Sequence, residues 1–111
     1  MTHPSDLDSV LASIWARRGP QVLVDIQELQ HDVEYSPLSV PEVMEKAHEK
    51  VHGLLGVFGI MQFTDCVELC RSVQGILNEL TTHSHIEDRF AALVELLHEL
   101  IKAVAWRLPD N

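Results

Sequence analysis

His48 and His52 stand four residues apart in the run His48-Glu49-Lys50-Val51-His52, and glycines follow at positions 53, 56 and 59. Two chemistries use residues of these types at this spacing. Imidazoles at i and i+4 share one helix face and can ligate zinc, with the intervening glutamate as the general base of a hydrolase. A single imidazole can instead act as a nucleophile through the lone pair of one ring nitrogen. The neighbouring residues fit zinc poorly. In zinc hydrolases the helix carrying H-E-x-x-H is buried and its intervening residues are uncharged, whereas Lys50 intervenes here. The longer metzincin pattern also fails, because Leu55 stands where glycine is required and Phe58 where a third histidine belongs. Glu68 and Glu79 remain as candidate third ligands.

The glycines favour the nucleophile. A glycine inside a helix costs about 1 kcal/mol relative to alanine, so Gly53, Gly56 and Gly59 together cost about 3 kcal/mol. At about 100° per residue, Gly56 and Gly59 fall about 40° and about 20° to either side of His52. The imidazole would then project over bare backbone that a partner can approach closely. Val43, Ala47, Val51, Leu54, Phe58 and Met61 cluster within about 40° of one direction, and His52 points about 150° away from it. The glycines therefore lie opposite the packing face, and His52 is predicted to be exposed. Lys50 falls about 160° from His52, at the edge of the core, with its stem laid along apolar surface.

No other cluster carries as much chemistry. Cys66 and Cys70, the only cysteines, are spaced i,i+4 and read as reduced thiols packed in the core. His3, His31, His83, His85 and His98 share no ligand spacing with His52. Trp15 and Trp106 are expected to clamp one end of the fold.

The elements that must position His52 are helical throughout. Ser5 with Asp8 opens a short first helix that Gly19-Pro20 ends, and a second, from about Gln21 to Glu34, buries Val22, Ile26, Leu29 and Val33. Pro41 suits the first turn of a third helix, from about Val40 to Met61, which carries His52. Asp65 with Glu68 and Ser84 with Glu87 resemble capping boxes for a fourth helix, to about Leu80, and a fifth. The fifth places Ile86, Phe90, Leu93, Leu97, Leu100 and Val104 on one stripe. The expected fold is all-α, an antiparallel four-helix bundle with a short additional N-terminal helix.

Composition narrows the function classes. With 111 residues, 46% of them hydrophobic, the chain suits one domain over residues 1–111 that buries a core. A net charge of −9 leaves no basic stripe for nucleic acid. No signal peptide or apolar run of about 20 residues points to secretion or a membrane span. A cytoplasmic monomer with selective protein partners is expected, with no nucleic acid and no membrane. The initiating methionine and the closing Leu108-Pro109-Asp110-Asn111 suit a free-standing protein.

The stretch His52-Gly53-Leu54-Leu55-Gly56, then Gln62, then Leu69-Cys70-Arg71-Ser72-Val73-Gln74 resembles the histidine-containing phosphotransfer (HPt) domain of bacterial multistep phosphorelays. That family has H-x-L-K-G, a second small residue six positions later, and a following helix with an L-C-x-x-L-E-like stretch. The resemblance covers about 25 residues directly, and the helix layout extends it along the chain. It implies that His52 is the phosphorylated histidine, Gly56 the glycine that clears space beside it, and Leu54 a core anchor. The implied partners are receiver domains of a hybrid histidine kinase and of a response regulator. The chain would carry no cofactor of its own, magnesium being supplied by the receiver. Leu55 stands where the family has lysine, and Gln62 replaces the second glycine. His48, one turn before His52, and Gln62, about 80° around the helix, are the expected substitutes for the missing donor. Leu55, Ile60 and Phe63 are expected to form an apolar docking rim.

Overall fold

The structure of the protein, a computed structural model, describes residues 4–35, 40–82 and 87–108. Four helices run in order: α1 (Pro4–Tyr35), α2 (Pro41–Met61), α3 (Thr64–Thr82) and α4 (Glu87–Ala105). Each packs on its neighbours in the ring, α1 on α2 and α4, α3 on α2 and α4, and the diagonal pairs stay apart. Short connections between successive helices make them antiparallel, so the fold is an all-α four-helix bundle.

The heptad-like spacing read from the sequence is what fills the core. Val22, Ile26, Leu29 and Val33 of α1 are buried, as are Leu93, Leu97, Leu100 and Val104 of α4. From α2 come Met44, Ala47, Val51, Leu54, Phe58 and Met61. Met44 takes the place expected for Val43, which is half-buried, because the inward face of α2 is turned toward α3. Phe90, at the start of the α4 stripe, stays 37% exposed, and Ile86 and the expected cap at Ser84 lie outside the described residues. Among the described residues no polar or charged side chain is buried.

The expected break at Gly19-Pro20 is absent. One helix of 32 residues runs through Pro20, so the short separate N-terminal helix is not seen. Proline removes one i→i−4 hydrogen bond and crowds the Cβ of the residue before it. Residue 19 has no Cβ, and Ala16, whose carbonyl loses its partner, lies with Pro20 on the exposed side. Gly19 is buried for a packing reason instead: a Cβ there would stand 2.6 Å from Cδ2 of Leu108 and 3.0 Å from the Trp15 ring.

A clamp closes this end of the bundle. Trp15 Nε1 donates to the Arg107 carbonyl at 2.9 Å, and its ring meets Phe63 edge-on at 4.9 Å. Arg107 lies over Phe63 at 4.5 Å and holds Asp65 with two contacts, Nη2–Oδ1 at 2.7 Å and Nη1–Oδ2 at 3.0 Å. Asp65 is thus not the helix cap expected from its spacing to Glu68. The first hydrogen bond of α3 runs from Val67 N–H to the Phe63 carbonyl, which places Asp65 inside the first turn, free to face Arg107. Trp15 clamps as expected; Trp106 does not, being 71% exposed with Arg107 stacked over it at 4.4 Å.

Candidate functional site

His52 sits in the middle of α2, on its outer face, exposed, while Val51, Leu54, Phe58 and Met61 beside it are buried. The helix is unbroken through all three glycines. A Cβ built on Gly53, Gly56 or Gly59 would meet nothing within 4 Å. No helix of this bundle uses the bared strip, so internal packing does not account for three helix-weakening residues. The strip is continuous with the imidazole and open to solvent.

The residues around His52 are drawn to different neighbours. His48 is half-buried on the α3 side, where its Nε2 lies 3.5 Å from Thr81 Oγ1. The Thr81 hydroxyl donates to the Leu77 carbonyl at 2.8 Å, which leaves its oxygen lone pairs facing His48. Thr81 carried no signal in the sequence; only the packing of α3 on α2 brings it near. Lys50 reaches the opposite way, to Glu28 of α1 at 3.0 Å and toward Asp32 at 4.0 Å. A groove of about 210 Å³ runs beside that pair, between Gln21 and Asp25 of α1 and Gly53 and Val57 of α2.

Three expected roles change. Gln62 is not on the helix face. It is the C-cap of α2, in the left-handed conformation at φ 63°, ψ 32°, with its N–H turned back to the Gly59 and Phe58 carbonyls. A glycine adopts that conformation without strain. Phe63 belongs to the Trp15–Arg107 clamp and not to an apolar rim. Leu55 is half-buried against the core, which leaves Ile60, 65% exposed, as the apolar residue most open to a partner on this face.

Metal and thiol chemistry find little support. Among the described residues no group of three or more histidine, cysteine, aspartate or glutamate side chains is placed to hold a metal ion. His48 and Glu49 therefore have no third ligand to join with His52 among those residues. His3, His83 and His85 lie outside the described residues. Burial pushes the Cys66 thiol up to about 11 and the Cys70 thiol up to about 12, so neither offers a thiolate near neutral pH. Both are fully buried packing residues. Among the described residues no helix is long and apolar enough to cross a membrane. No family model matches the chain, and no curated protein or solved structure matches it either.

Proposed function

We propose that the protein is a phosphorelay intermediate, in which His52 accepts a phosphoryl group from an aspartyl phosphate on the receiver domain of a hybrid histidine kinase. It then passes the group to the receiver of a response regulator, and acts in the cytoplasm where such receivers work. The observation that carries this reading is the exposed imidazole on an unbroken helix, flanked by three glycines with nothing above them. Resemblance to the HPt motif at His52, Leu54 and Gly56 supports it.

In the transfer, the lone pair of one His52 nitrogen forms an N–P bond as the O–P bond to the aspartate breaks, and the carboxylate leaves with the bonding electrons. Near neutral pH an imidazole is commonly unprotonated at one nitrogen, so no general base is required. Catalysis is then mainly in-line positioning and charge stabilisation. Magnesium bound by the receiver neutralises charge on the moving group. The rigid helix fixes the direction of the nucleophile, and the bare strip lets the receiver's acidic pocket come close enough for the nitrogen and phosphorus to meet.

The test is incubation with phosphorylated receivers followed by detection of acid-labile, base-stable phosphate on this chain. His52→Gln should abolish the label while leaving the unfolding free energy within about 0.5 kcal/mol of wild type, because an exposed side chain contributes little to the core. His48→Gln should keep the label and slow its appearance. Phosphate on the His52→Gln protein would contradict the assignment. Tight receiver binding without any phosphate on the wild type would make the chain a helical adaptor instead.

A further inference from the structure

The charges around His52 are arranged against retention of a phosphoryl group. Glu49 lies three residues before His52 and Glu45 seven before, about 60° and about 20° around the helix, and both are exposed on the same outer face. Among the described residues neither is ion-paired. Of the nearby cations, Lys46 is exposed three residues before Glu49 but about 120° around the helix from His52, and the others are committed or missing. Lys50 is held on the α1 side by Glu28 at 3.0 Å, and position 55 is the half-buried Leu55. His48 turns its Nε2 to Thr81.

We infer that Glu49, with a smaller share from Glu45, destabilises phosphorylated His52 and sets this protein as a short-lived donor whose transfer equilibrium lies toward the receiver aspartate. This inference rests on the carrier reading of His52. A phosphoryl group brings close to two negative charges to a position one helical turn from the Glu49 carboxylate. Like charges at that spacing oppose each other even on a solvated surface. In the forward step the N–P bond breaks, the imidazole nitrogen keeps its electron pair, and a new O–P bond forms on the receiver carboxylate. Repulsion by Glu49 is relieved in that direction and built up in the reverse one. Glu49 touches no reacting atom and acts on the equilibrium through charge alone.

Two measurements separate this inference from the carrier reading. In the first, the purified chain is phosphorylated chemically with phosphoramidate, and the His52 signal, identified by its loss in His52→Gln, is followed by phosphorus NMR. Glu49→Gln should lengthen the lifetime of that signal about twofold to fivefold, and Glu45→Gln less. Leu55→Lys should act in the same direction as Glu49→Gln. The wild-type disadvantage should shrink as salt is raised from 0.05 to 1 M, since exposed charges are screened over shorter distances. In the second, the ratio of phosphohistidine to aspartyl phosphate is measured against one receiver for wild type and Glu49→Gln. It should shift toward histidine by a similar factor with receiver affinity unchanged. Equal lifetimes of wild type and Glu49→Gln in the chemical assay would overturn the inference. So would weaker receiver binding at an unchanged ratio, which would make Glu49 a docking residue. Failure of receivers to label the wild type bears only on the carrier reading, because the chemical assay does not involve them.

Discussion

Gly19 and the trio Gly53, Gly56 and Gly59 are the same residue in helix interiors, placed in opposite surroundings. At Gly19 the missing Cβ is filled by Leu108 and the Trp15 ring, so the bundle itself needs the vacancy. Along the outer face of α2 nothing fills the space, and the bundle would be more stable with side chains there. A residue that weakens a helix and is compensated by packing reports on the fold. One that weakens a helix without internal compensation, as Gly75 of α3 also does, is not explained by packing, and the proposed carrier role gives the trio beside His52 a purpose in the approach of a partner.

Substitution should split the two regions in sign. Gly19→Ala forces its new Cβ against Leu108 and Trp15 and crowds Pro20, and should destabilise the protein by about 1–3 kcal/mol in urea unfolding. Gly56→Ala should stabilise it by about 0.5–1 kcal/mol and at the same time slow phosphoryl transfer to His52. If Gly56→Ala raised stability and left the transfer rate untouched, the bare strip would have no part in docking. A stability loss at position 56 would erase the contrast altogether.

Smaller effects sharpen the comparison at the ends of the two regions. Gln62 holds a left-handed conformation at the C-cap of α2, next to the bare strip. Gln62→Gly should add about 0.5 kcal/mol with no change in transfer rate, since the side chain lies past the helix face that carries His52. At the clamp, the Arg107 guanidinium is the main cause holding the Asp65 carboxyl below its usual range. Asp65 in the folded protein therefore releases its proton more readily than in the unfolded chain. Its stabilising contribution is present above the ordinary carboxylate pKa, near 4, and is lost as pH falls through the lower folded value. Asp65 is half exposed, so the contribution is limited to about 0.5 kcal/mol. Asp65→Asn should remove that part of the acid sensitivity while leaving stability above pH 7 lower by about the same amount, as read from unfolding curves at pH 3 and pH 7.

The sequence made the bundle legible because apolar steps of three and four residues recur over whole helices, and a face fixed that way tolerates an error at any one position. Val43 and Met44 exchanged places without disturbing the face of α2. The exposure of His52 and the emptiness above Gly56 followed from the same wheel. Contacts between distant residues left no such trace. Gly19-Pro20 reads as a stop because its local chemistry says so; Leu108, far along the chain, together with the Trp15 ring, gives Gly19 its purpose. Arg107 and Asp65, 42 residues apart, likewise share no local pattern. Thr81 beside His48 is a third case, since a hydroxyl in the last turn of a helix looks the same whether or not an imidazole packs over it.

The hydrogen bond from Trp15 to Arg107 spans 92 residues, and this span bears on the order in which the chain acquires its shape. The ribosome releases α1 first, and contacts of high sequence separation form only after the intervening chain is available. Until residues 107 and 108 emerge, only the Trp15 ring stands beside Gly19, and the Gly19-Pro20 step is free to behave as the break that its local chemistry suggests. The 32-residue helix is in this sense completed only once residues 107 and 108 are made. A shortened chain ending before Arg107 should keep the α2–α3 pair and the His52 face while α1 residues before Gly19 exchange their amide hydrogens early.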